Sequence, residues 1–160
     1  MKTKKDQLTR IINTQSQLLN LKIMELQMGS VVSGTQENDS RYVAAKNIRL
    51  PDDGSQITVS IYFGGEGQLG SATLKVLRTN QESKFIKESI DNILIGTCNE
   101  LIGHVLNIES FIQDVSRESN KTILTVKIRN AGKVIYDDTH VSEVKTEGGV
   151  SLYTHHITFY

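Results

Sequence analysis

Residues Leu8 to Met28 contain neither Gly nor Pro, and their apolar side chains recur at helical spacing. From about Arg41 onward, apolar and polar residues alternate in short runs broken by Gly, Asn and Asp. One helix followed by many strands cannot build an alternating parallel α/β sheet. This change of pattern near residue 29 predicts a mainly β chain: an antiparallel two-sheet β-sandwich preceded by one N-terminal amphipathic α-helix. The expected organisation is a helix over 1–28, a linker over 29–40 and a sandwich domain over 41–160.

On a helical wheel, Leu8, Ile11, Ile12, Leu18, Leu19, Ile23 and Leu26 share one broad face. The series Leu8, Ile12, Gln15, Leu19, Lys22, Leu26 steps by four and three, as a coiled-coil seam does, with Gln15 and Lys22 at seam positions, where polar residues weaken a coiled coil but can fix its register and partner number. Leu21, Met24 and Met28 lie on the opposite side, so the helix has apolar surface to bury on two fronts. An isolated helix of this length is marginal in water. It therefore needs a receiving surface: its own sandwich, other copies of the chain, a membrane or another protein. Its polar face carries mostly Asn, Gln, Ser and Thr, which argues against a membrane-surface helix.

Charge adds little field. The 18 Lys and Arg balance the 18 Asp and Glu, so nothing gathers nucleic acid or anionic lipid. Nor do the tyrosines interleave with basic residues as a base-stacking platform would. The balance is uneven along the chain: Lys2, Lys4, Lys5, Arg10 and Lys22 outnumber Asp6 and Glu25 before residue 29, leaving a weakly acidic body. Cys98 is the single cysteine, which leaves no intramolecular disulfide and no cysteine-based zinc site; a small buried hydrophobe is the expectation. The N-terminal charges are followed by polar breaks at Asn13, Gln15 and Gln17, unlike a secretory leader. No run approaches the ~20 apolar residues of a bilayer span. A cytoplasmic location is expected, with export by a dedicated machine compatible with it.

Within the body, Tyr42–Leu50 reads as a first strand, ended by the turn Pro51-Asp-Asp-Gly54. Ile57, Val59, Ile61 and Phe63 share one face of a strand over Gln56–Phe63, with Ala72–Leu77 its expected hairpin partner. Strands follow at Ser89–Ile95 and Val105–Val115, while Lys84–Asn92 also fits a helical turn. The last three strands, Thr122–Arg129, Lys133–Val144 and Val150–Tyr160, read as a meander through turns at Asn130-Ala-Gly132 and Glu147-Gly-Gly149.

Three constellations carry possible chemistry. Gly65-Glu-Gly67-Gln-Leu-Gly70 matches the dinucleotide fingerprint in letters, but the residues after it alternate like a strand, where a helix N-terminus would have to hold the pyrophosphate. No nucleotide or other cofactor is expected. Gly64, Gly65, Gly67 and Gly70 are instead the candidate binding loop at a sandwich end. Asp138 and His140 share a strand face, and His155 and His156 point to opposite faces of the next strand. If those strands pair, Asp138, His140 and one late histidine, with His156 the candidate, would form a weak metal or acid–base site. The commoner reading is a solvated sheet face. Asp52-Asp53 and Asp137-Asp138 lack a calcium-loop pattern.

The function these features favour is that of a non-enzymatic, self-assembling structural or interaction protein, of the kind found in phage-like or bacterial macromolecular assemblies. Its expected partners are further copies of the chain and another protein. A sandwich module that binds carbohydrate or another small ligand is the alternative, though no Trp is present to stack on a sugar. A metal-dependent hydrolase on Asp138, His140 and His156, or a membrane-active helix, ranks below these.

Overall fold

The computed structural model describes residues 40–64, 68–115, 119–146 and 148–160. The helix expected over Leu8–Met28 and nearly all of the expected linker lie outside these residues.

Among the described residues, nine strands and one helical turn follow in chain order: β1 (Ser40–Ile48), β2 (Gln56–Gly64), β3 (Gln68–Leu77), β4 (Lys84–Ile86), β5 (Ile90–Thr97), α1 (Cys98–Leu101), β6 (Val105–Asp114), β7 (Lys121–Asn130), β8 (Lys133–Glu143) and β9 (Val150–Phe159). They form a five-stranded sheet ordered β1-β9-β6-β3-β4 and a four-stranded sheet ordered β5-β2-β7-β8. Strict alternation sends Leu106, Ile108 and Ile112 of β6, and Ile157 and Phe159 of β9, inward from the first sheet. Ile57, Val59 and Ile61 of β2, and Leu124, Val126 and Ile128 of β7, point inward from the second. All lie in one apolar core, which the two sheets enclose. Each fully buried aliphatic or aromatic side chain contributes about 1.5–3 kcal/mol.

Three pairings differ from the sequence expectation. β2 and β3 are not a hairpin: β2 pairs with β5 and β7, and β3 crosses to the other sheet to pair with β4 and β6. β8 and β9 do not complete a meander, because β9 also changes sheet, pairing with β6 and β1. Alternation is blind to such crossings, since a strand presents the same inward face to the core from either layer. The sheets are also not wholly antiparallel, because β1 runs parallel to β9.

The β7–β8 hairpin forms as its turn chemistry dictates. Ala131 and Gly132 both take positive φ, at 46° and 82°, the conformation that a tight two-residue hairpin requires. Lys84–Asn92, open between strand and helix in sequence, is the short β4, a turn and the start of β5. Cys98 is buried at the start of α1, where its sulfur lies 3.3 Å from the Ser55 hydroxyl. Among the described residues no helix is long and apolar enough to cross a membrane.

Candidate functional site

The chemistry-bearing side chains converge where β1, the edge of one sheet, lies over β8, the edge of the other. Asp138 and His140 point inward from β8, and Tyr153 and His155 point inward from β9. The His155 Nε2–H donates to Asp138 Oδ2 at 2.9 Å, and the Tyr42 hydroxyl donates to the same oxygen at 3.2 Å. The Tyr42 ring stacks on His140 with centroids 3.6 Å apart and planes 14° from parallel. Tyr136 meets His155 edge-on, and Tyr153 meets His140 likewise. Behind them, the Tyr153 hydroxyl donates to the Thr122 carbonyl at 2.9 Å. The Thr122 hydroxyl donates to Ser151, which in turn meets Ser40. Three strands from both layers are thus tied through one carboxylate.

Burial sets the protonation states. It holds the His155 imidazole below the ordinary histidine range, helped by His140 and His156 and opposed by Asp138. The neutral ring therefore donates from Nε2 and keeps its lone pair on Nδ1, which is buried without a hydrogen-bond partner among the described residues. Burial, followed by the charge of Asp138, raises the phenols of Tyr42 and Tyr136 above the usual tyrosine value. The His155 residue is 1% exposed, so neither nitrogen reaches solvent, and an acid–base catalyst must reach its substrate's proton.

His156, the histidine favoured in sequence, is exposed and points away from Asp138, on the outer face of the five-stranded sheet. The residue meeting Asp138 is His155. β8 and β9 lie in different sheets, so their residues meet across the layers and only inward-facing ones touch. Among the described residues no three His, Cys, Asp or Glu side chains converge as metal ligands would.

Gly65 and Gly67 lie outside the described residues. Gly64 closes β2 and Gly70 lies inside β3, so a strand follows the glycines. A Cβ on Gly70 would fall well inside van der Waals contact with the Phe63 ring, which fills the space over that glycine. On Gly64 it would press against Ile123 at 3.2 Å. Both glycines therefore leave room for a neighbouring side chain. Gly70→Ala is expected to destabilise the fold by about 1–3 kcal/mol. Combined with Phe63→Ala it should cost less than the two separate effects added, because the ring that clashes is gone. Urea unfolding of the three variants checks this, and strict additivity would contradict it.

A second polar cluster escaped the sequence reading. On the outer face of the four-stranded sheet, Asp91 Oδ1 accepts from Ser60 at 2.5 Å and from Tyr62 at 2.7 Å, while Arg129 donates to Ser60 at 2.6 Å and to Asn92 at 3.2 Å. The hydrogen bond from Ser60 is the main cause holding the Asp91 carboxyl below its ordinary range. The cluster depends on irregular β2–β5 pairing and on Asn92 at φ 54°. The only signal in the sequence was the shared parity of Ser60 and Tyr62.

Compared with known proteins, the chain matches no family model, no curated protein and no solved structure.

Proposed function

We propose that this chain is a non-enzymatic, self-assembling structural or interaction protein whose partners are copies of itself and another protein. The observation that carries the reading is a contrast within one region. The acid, histidine and tyrosine groups that could do chemistry are spent on one another in the seam between β1 and β8. The backbone edges of those same two strands have no neighbour among the described residues. An unpaired strand edge is a template for another chain.

The N-terminal segment, in which Leu8, Ile11, Ile12, Leu18, Leu19, Ile23 and Leu26 recur at helical spacing in the sequence, supplies the second assembly element in this reading. A segment this rich in apolar residues requires a receiving surface.

Light scattering coupled to gel filtration on the full chain, and on a chain beginning at Gly29, tests both parts. The full chain is expected to run as a defined oligomer, and the shorter chain as a smaller species. A monomeric full chain would overturn the reading. An oligomer of unchanged subunit number after truncation would remove the N-terminal segment from it.

A further inference from the structure

Among the described residues, four strands stand at sheet edges: β1 and β4 in one sheet, β5 and β8 in the other. Three residues make up β4. β5 is broken by two register shifts against β2 and by the positive φ of Asn92. Short or irregular edges resist pairing with another chain. By contrast, β1 pairs with β9 without interruption from Ser40 to Ile48. β8 pairs with β7 without interruption from Tyr136 to Glu143. Both regular edges lie on the same side of the molecule, one over the other.

Their charges are opposite. β1 carries Arg41 and Lys46 and no acid, whereas β8 carries Asp137, Asp138 and Glu143 against Lys133. Their directions are opposite too. Along β8, Asp138 meets His155 and His140 meets Tyr153, so β8 and β9 run antiparallel across the layers. β1 runs parallel to β9, hence antiparallel to β8.

We propose that these two edges form one interface with a second copy of this chain, joined crosswise, β1 of each copy pairing with β8 of the other. The inference rests on the self-assembly reading and names its surface. Two symmetric arrangements could bring these edges together. A two-fold axis along the sheet normal would pair β1 with β1 and β8 with β8, setting basic against basic and acidic against acidic. An axis running along the strands exchanges the two layers. It pairs β1 with β8 twice, antiparallel, and sets opposite charges together.

Register follows from heights within one copy, which rotation about an axis along the strands preserves. Ala44 stands opposite His155 in the sheet, and His155 meets Asp138. Tyr42 stands opposite Tyr153, which meets His140. Ser40 stands opposite Ser151, which accepts from Thr122, the residue paired with Ser142. All three place Ala44, Tyr42 and Ser40 level with Asp138, His140 and Ser142. In that register Arg41 is diagonal to Glu143 of the second copy, and Lys46 is diagonal to its Asp138. Val43, 64% exposed, is diagonal to Val141, 51% exposed. Diagonal neighbours lie within reach of long side chains.

Sedimentation velocity on the full chain over a range of concentrations tests this, with Arg41→Glu, Glu143→Arg and the double reversal. Arg41 and Glu143 are both exposed, so folding should be unaffected, and matching urea midpoints verify it. Each single reversal places like charges together at both junctions and is expected to raise the self-association Kd about tenfold or more. The double reversal is expected to recover most of the loss. Self-association untouched by either reversal would overturn the edge interface while leaving the self-assembly reading intact. Tighter association of Arg41→Glu would point to the other axis and overturn the crosswise pairing. A wild-type chain that is monomeric throughout would overturn the self-assembly reading itself, and this inference with it.

Discussion

Asp138→Ala is expected to lower the unfolding free energy by about 2–3 kcal/mol. A surface carboxylate removed elsewhere would move stability by only about 0.5 kcal/mol. The difference comes from what the oxygen serves. Asp138 Oδ2 accepts from His155 Nε2 at 2.9 Å and from the Tyr42 hydroxyl at 3.2 Å. His155 Nδ1 has no hydrogen-bond partner among the described residues, so losing Asp138 strips the ring of its one polar contact. A buried donor left unsatisfied carries its full desolvation cost, whereas an exposed one turns to water. The Tyr42 hydroxyl, at the edge, can turn to water and should contribute the smaller part. Asp138→Asn keeps an oxygen that can accept from His155 and should lose less. Urea unfolding with an unchanged m-value measures both variants. A loss below about 0.5 kcal/mol for Asp138→Ala would show that the carboxylate is not what secures the seam.

The strands themselves were legible because alternation is local: β2, β6, β7 and β9 begin and end within a few residues of where apolar parity starts and stops. The β7–β8 hairpin was legible too, because Asn130-Ala-Gly132 carries the turn in its own residues. Which sheet a strand joins is not local. β2 and β3 are consecutive and separated by only three residues in sequence, yet they part into different layers, and β9 leaves β8 in the same way. Parity reports which side of a strand is apolar, and in two packed sheets both inner sides are.

The same blindness selected His156 over His155. The correction was available in the sequence, since His155 shares parity with Tyr153, Ile157 and Phe159, all buried, while His156 alternates with them. The parallel placement of β1 beside β9 joins residues more than a hundred positions apart, and no spacing pattern encodes it. The seam chemistry was thus half visible: Asp138 and His140 by their shared face, but not Tyr42, which reaches them only through that pairing.

Stability is expected to fall as pH drops below about 6.5, the ordinary histidine value, and the fall should be traceable to His155. Burial is the main cause lowering its pKa in the folded chain, with His140 and His156 acting in the same direction and Asp138 opposing. A group whose folded pKa lies below its unfolded value stabilises fully above the unfolded value. That contribution is lost as pH falls towards the folded one, because the unfolded chain takes up the proton first. The limiting slope for one proton is about 1.4 kcal/mol per pH unit. The carboxylates of Asp53, Asp91 and Glu100 are also held below their ordinary values by hydrogen bonds. Their contributions are lost lower down, below about pH 4.5, so the window between pH 5 and 6.5 separates His155 from these carboxylates, and a variant lacking its ring separates it from the other histidines. His155→Phe removes the titrating ring and keeps an aromatic side chain in the site. In urea unfolding across that window its stability should change less with pH than that of the wild-type chain. An equal slope in both would assign the acid sensitivity to other groups and remove the buried, neutral His155 from its explanation.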